Sequence, residues 1–214
     1  MTMQGTDAVS PALLHAWLAG RSLARGVPAP EADRGGYRVD TGSDSEHCRW
    51  VFAAPSPNLS ALAREIDQPG RLIKLCGKDE ALRELLPDSW QLHALAFFMQ
   101  SGSWPAARAL PPGYRCETSV VGSVAHVAVF GDDGSLAASG YAAETGAAFV
   151  FDRIVTAPSH RRKGLGAGVM AALRATRTRP DVPELLVATD EGRCLYQRLG
   201  WRVLSPYATA EFAA

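Results

Sequence analysis

Several things that would have pointed to a function are scarce in this sequence. There is no excess of either charge, with 22 Lys and Arg against 22 Asp and Glu, so the basic surplus of a dedicated nucleic-acid binder is missing and no nucleic-acid partner is expected. Cysteine is sparse: Cys48, Cys76, Cys116 and Cys194 are widely separated, with no Cys-x-x-Cys pair and no histidine at metal-ligand spacing. They read as free thiols in a reducing cytoplasm, with no metal site. No uninterrupted apolar run approaches the roughly 18 residues of a membrane span. The N-terminal stretch lacks a basic start, and His15 and Trp17 interrupt its apolar residues. Neither export nor a membrane partner is expected. What remains, 47% hydrophobic and 21% charged over 214 residues, suffices for one large domain or two small ones.

A local absence is more informative. No acidic residue occurs between Asp152 and Asp181, while Arg153, Arg161, Arg162, Lys163, Arg174, Arg177 and Arg179 all fall there. Within this stretch the strand-like Ile154-Val155-Thr156 runs into Arg161-Arg162-Lys163-Gly164-Leu165-Gly166-Ala167, an Arg-x-x-Gly-x-Gly turn that opens a helix. The unpaired N–H groups of a helix's first turn, with the positive end of its dipole, favour an anion. Glycines let the backbone approach phosphate oxygens that a Cβ would hold away, and the three cations add charge. A glycine turn before a helix is also ordinary punctuation, but the basic surroundings favour a polyanion such as a pyrophosphate.

Periodicity and turn residues supply the frame. Ser10-Pro11 starts a short amphipathic helix carrying Leu13, Leu14, Trp17 and Leu18 and ending at Gly20. The Pro-, Gly- and charge-rich stretch 25–45 reads as a long connection. A strand at 48–53, a helix from Ser56-Pro57 to Gly70, a strand at 72–76, a helix at 79–86 and a strand at 90–99 follow, and residues 101–113 separate them from the rest. Strands at 114–121, 124–130, 136–145 and 147–156, broken by Gly122-Ser123, Asp133-Gly134 and Thr145-Gly146, form an antiparallel meander. A helix at 164–177, a buried strand at 184–188, a helix at 192–199 and a strand at 201–210 close a mixed α/β order.

The meander, the segment Thr156-Ala157-Pro158-x-x-Arg161-Arg162-x-Gly164-x-Gly166, the strand at 185–188 and the ending Leu195-Tyr196-x-x-Leu199-Gly200-Trp201 together resemble the GNAT family of acyl-CoA-dependent N-acyltransferases, over residues 114–207. The resemblance implies the GNAT fold, an α+β mixed sheet, and acetyl-CoA as co-substrate. The main chain of Ile154, Val155 and Thr156 would hold its pantetheine arm and thioester like an added strand. Arg161, Arg162, Lys163, Gly164, Leu165, Gly166 and Ala167 would hold its pyrophosphate. Arg162 stands where many relatives have glycine, which is tolerable if its φ is not positive.

The implied reaction moves an acetyl group to a primary amine of a small molecule, peptide or protein. Tyr196 has the family's position for the acid that helps CoA leave; its other reading is a packed tyrosine beside Leu195 and Leu199. Asp152 is the candidate base, on a strand face that alternation would share with Ile154 and Thr156. Its other reading is an ion pair with a neighbouring arginine. A water chain oriented by Glu144 or Glu117 is the alternative. His160 reads as a solvated turn residue and Cys194 as a buried thiol.

The first half raises a separate question. Leu72-Ile73-Lys74-Leu75, Ala81-Leu82-Arg83-Glu84-Leu85-Leu86 and Trp90 echo Leu185-Leu186-Val187-Ala188, Cys194-Leu195-Tyr196-Gln197-Arg198-Leu199 and Trp201. Residues 1–105 would then be an α/β region with a degenerate GNAT-like half, without the glycine motif and with Arg83 in place of the tyrosine, and 106–214 the catalytic domain. An ordinary β-α extension is the other reading. A non-catalytic acyl-CoA sensor remains the alternative function. A toxin acting on charged transfer RNA fits zero net charge poorly. The partners implied are acetyl-CoA and an amine acceptor, with the chain a monomer or homodimer.

Overall fold

The computed structural model describes residues 9–104 and 109–213; the boundary drawn at 105/106 lies outside them. In chain order the elements are α1 (Pro11–Arg25), β1 (Glu31–Asp33), β2 (Gly36–Ser43), β3 (Glu46–Phe52), α2 (Pro57–Glu65), β4 (Arg71–Cys76), α3 (Asp79–Arg83), β5 (Trp90–Leu92), β6 (Ala96–Ser101), β7 (Tyr114–Val121), β8 (Val124–Gly131), β9 (Leu136–Glu144), β10 (Phe149–Thr156), α4 (Leu165–Arg174), β11 (Glu184–Ala188), α5 (Asp190–Arg198) and β12 (Trp201–Phe212). The strands join in one mixed sheet, β1-β2-β3-β4-β12-β6-β11-β10-β9-β8-β7, with β5 beside the end of β12. The fold is the mixed α/β sheet that the element order predicts.

The centre of the sheet is exchanged between the halves. β3 and β4 are parallel, as are β10 and β11. Between these pairs β6, the last strand of the first half, lies antiparallel to β11, and β12, the last of the second, lies antiparallel to β4. β6 and β12 pair with each other. Each half thus runs strand, helix, parallel strand, helix, strand, and closes on the other.

Strand alternation sorts the core into two faces. Val51, Cys76, Val150, Leu185 and Tyr207 meet Leu14, Trp17 and Leu18 of α1. Their neighbours in sequence point the other way. Trp50, Phe52, Ile73 and Leu75 join Leu59, Leu62 and Leu82 of α2 and α3, and Phe149, Phe151 and Leu186 join Val169 and Leu173 of α4 and Tyr196 of α5. So α1 crosses one face, and α2 to α5 cover the other.

Three expectations need correction. Gly20 does not end α1: a Cβ there would come within 2.9 Å of the Val150 Cβ, so this glycine is a close-approach point, and the helix runs on to Gly26 at φ 64°. The stretch read as a long connection contains β1 and β2. Only Gly36 and Val39 of β2 are buried, so the strand carries almost no alternation signal. The strand expected at 90–99 is two, β5 and β6. Among the described residues no helix is long and apolar enough to cross a membrane.

Candidate active site

The site begins as a gap in the sheet. β10 pairs with β11 only at Phe149↔Glu184 and Val150↔Leu185. On its other side it stays paired with β9 as far as Thr156↔Ala138, across a bulge between Asp152 and Val155. Arg153, inside the bulge, has φ 53°. Beyond Val150 the edge of β10 toward β11 is therefore open, and backbone groups there need a partner from elsewhere. The bulge also undoes the expected alternation, because an extra residue turns the strand. Asp152 faces α1, whereas Ile154 packs with Val169 and Leu173 of α4 around Gly140.

The strand then leads through a 3₁₀ turn (Pro158–His160) to α4. Gly164 is the N-cap of α4, at φ 81°, and has no side chain with which to cap it. In contrast, Ser10, Ser56 and Thr189 each accept a hydrogen bond from the first turn of their own helix. The first-turn N–H groups of α4 are thus left to a ligand, with Arg161, Arg162 and Lys163 exposed beside them. Arg162 has φ 64°, so the condition under which it was to be tolerated in place of glycine does not hold. The left-handed conformation costs a non-glycine residue about 1–2 kcal/mol.

Open edge and uncapped helix face one cleft of about 1820 Å³. Its walls include Ile154, Val155 and Thr156, all of residues 161–167, and Tyr196. Tyr196 is 7% exposed and its ring centroid is 6.1 Å from that of Trp201. Burial, with a smaller contribution from the charge of Asp152, raises its phenol above the ordinary value.

Asp152 is not brought into this cleft. Arg25 donates to both of its carboxylate oxygens, at 2.7 and 3.0 Å, and Arg153 and Arg21 lie at 3.3 and 3.8 Å. The ion pair weighed against the base role is thus what the side chain makes. Glu117 lies on the exposed strand β7, paired with Arg115. Glu144 accepts from the Thr178 hydroxyl and from the Thr178 and Arg179 amides. Burial pushes its carboxyl up, but these hydrogen bonds outweigh it and leave it below the usual range. His160 is half-buried and bonded to the Tyr114 hydroxyl at 2.9 Å. Cys194 is exposed on the cleft wall, contrary to the buried thiol expected, because its position on α5 points away from the sheet.

The basic stretch also divides. Arg174 and Arg177 each donate to Glu184 at 2.7 Å, so these two cations neutralise a buried carboxylate that lies outside the acid-free window. Trp104 donates to Glu184 at 2.6 Å and carries the Arg174 guanidinium 4.8 Å from its ring centroid. It forms a cleft wall that periodicity did not signal, as do Asp190 and Glu191 at the start of α5. Among the described residues the cations of the Arg161 turn make no ion pair, although Lys163 donates to the Tyr114 hydroxyl at 3.0 Å.

Residues 123–203, which span the open strand, α4 and Tyr196, match the profile of the acetyltransferase (GNAT) domain. Over those residues the chain is similar to GNAT acetyltransferases. Solved GNAT structures share its architecture nearly end to end. A GCN5-related N-acetyltransferase from Kribbella flavida is 14% identical with a TM-score of 0.65, covering 95% of this chain and 96% of that one. One from Sphaerobacter thermophilus is 12% identical with a TM-score of 0.55, covering 100% and 98%. A tandem GNAT protein from the clavulanic acid biosynthesis pathway is 14% identical with a TM-score of 0.50, covering 72% and 68%. At such identities the likeness speaks for the fold alone. No curated protein matches the sequence.

Proposed function

We propose that the chain is an acetyl-CoA-dependent N-acetyltransferase that acts on a primary amine by direct attack in a ternary complex. The observation that carries this is the convergence of the open edge of β10, the uncapped first turn of α4 and Tyr196 on one cleft. Acetyl-CoA would supply the activated acyl thioester. The open main chain of Ile154, Val155 and Thr156 pairs with an extended amide arm, and the amides and cations of residues 161–167 take the pyrophosphate. Tyr196, held protonated by burial, donates a hydrogen bond to the departing thiolate. A phenol raised above its ordinary value is a weaker acid than a thiol of about 8.5, so it stabilises the leaving sulfur without giving up its proton outright.

An alkylammonium with a pKa of about 10 must lose a proton before it attacks. With both Asp152 oxygens held by arginine, we assign that step to water at the sheet gap, which takes the amine's proton and passes it to solvent; Asp152 is a positioning group, and the arginines it gathers, Arg21, Arg25 and Arg153, favour the neutral amine. In the first half β3 and β4 stay paired through five residues, and α2, the helix between them, has its first turn capped by Ser56. We read this region as a degenerate GNAT-like half that completes the sheet and walls the acceptor side.

The test is thiol release from acetyl-CoA against a panel of amines, amino acids, amino sugars and peptides. Wild type should turn over at least one acceptor class, and Tyr196→Phe should lose about 10–100-fold in kcat, roughly 1.4–2.8 kcal/mol, with acetyl-CoA affinity within two- to threefold. Tight acetyl-CoA binding without thiol release across the panel would support the sensor reading instead.

A further inference from the structure

On the face opposite α4 and α5, next to the same gap, a chain of charged groups runs beneath the C-terminal half of α1. It starts at Asp152 with Arg25 and Arg21. It continues to Lys74 on β4, whose Nζ is 3.7 Å from Glu46, and to Arg49 on β3, whose Nε is 3.0 Å from Glu46. Tyr207 on β12 adjoins them. Its register partner on β6 is Ala96, and the next β6 residue, Phe97, pairs with Ala188, the end of the strand that borders the gap.

Five cations, Arg21, Arg25, Arg153, Arg49 and Lys74, thus meet two carboxylates; Arg49 and Lys74 are buried, at 3% and 8% exposed, Arg21 is half-buried, and Arg25 and Arg153 are exposed. Arg49 Nε faces Glu46 Oε1 at 3.0 Å without hydrogen-bond alignment, and Arg49 Nη1 and the Tyr207 hydroxyl have no hydrogen-bond partner among the described residues, although Tyr207 is 4% exposed. Burial lowers Lys74 to about 8, Glu46 opposes this, and Arg21 and Arg25 add to it. Surplus positive charge and orphaned donors in a buried site are costly unless an anion meets them. The cluster reaches the gap through Asp152, which lies on β10 two residues past its last pairing with β11.

We propose that this charged cluster holds the anionic group of the acceptor, a carboxylate or a phosphate, so that an amine carrying such a group reaches the thioester through the sheet gap from the α1 face. The inference rests on the reading of the opposite cleft as the acyl-CoA site. It adds a specificity that the cleft does not contain: neutral amines would lack the anchor.

Two measurements test it. In thermal melts with inorganic phosphate as probe, millimolar phosphate should raise the Tm of wild type, while Lys74→Met and Arg21→Met should lose most of the response and keep their acetyl-CoA affinity by calorimetry. In thiol release, amino acids should outrun their carboxamides, or amino sugar phosphates their unphosphorylated parents, and which pair differs tells carboxylate from phosphate. Lys74→Met should raise the KM of the favoured acceptor at least tenfold. No phosphate response in wild type, an equal response in both variants, or neutral amines turning over as fast as anionic ones would each overturn the proposal. Failure of wild type to bind acetyl-CoA would instead strike the acyltransferase reading, and the phosphate response identifies that case separately.

Discussion

Arg162 carries its cost in the backbone and its use in the side chain. At φ 64° its Cβ crowds the chain, a penalty of about 1–2 kcal/mol that glycine does not incur. Part of the gain from glycine is returned to the unfolded chain, which it makes more flexible by about 0.5–1 kcal/mol. Arg162→Gly should therefore be more stable by about 0.5–1 kcal/mol in urea unfolding, by the difference between those terms. Acetyl-CoA should bind it more weakly, with a shallower salt dependence, since one of three exposed cations is gone. A less stable variant would mean that side-chain contacts, and not backbone strain, govern the position. Asp152 teaches the complementary lesson. Its type and its approximate place were legible in the sequence, but its partners, Arg21 and Arg25, are about 130 residues away and invisible to local reading.

At the scale of elements, α2 and α4 begin alike in the chain order and differ in what satisfies their first turn. Ser56 caps α2 at 3.2 Å; α4 has only Gly164. An acidic residue in the first turn of a helix normally stabilises it by about 0.3–1 kcal/mol. Ala167→Asp, at the third position of α4, should accordingly raise the melting temperature of the free protein slightly. It should also abolish acetyl-CoA binding, because its carboxylate takes the place and the charge of the pyrophosphate. Opposite signs for stability and affinity separate an anion seat from an ordinary helix end. If affinity survives, α4 does not hold the pyrophosphate. Helices with caps and strands with alternation were legible, and the bounds of β7 and β11 agree with the reading to the residue. The bulge at Arg153 was not, since one inserted residue leaves no mark on composition, yet it is what turns Asp152 and Ile154 to opposite faces.

At the scale of the molecule, the exchanged centre of the sheet decides whether the GNAT-like second half is independent. The strand between β11 and β12 is β6, and Met99 of β6 is fully buried in the core that α4 and α5 cover. β12 cannot replace it next to β11 in the same geometry. It is antiparallel to β6, as β11 is, so β12 and β11 point the same way. Local patterns reveal that β6 and β12 are buried strands but hold no record of which neighbour each takes, so this arrangement could not be read before the structure. A fragment of residues 105–214 should be unfolded or aggregated when expressed alone, because it exposes the apolar edge of β11 and leaves the Met99 site empty. Co-expression with residues 1–104 should restore a soluble complex that binds acetyl-CoA. Circular dichroism, sedimentation and calorimetry on the fragment alone and on the pair would read this out. A monomeric 105–214 fragment that melts cooperatively and binds acetyl-CoA would show that the first half is an accessory. Rescue only by the pair would show that the two halves form one folding unit, in which the region without a glycine motif supplies the floor on which the cofactor cleft is built.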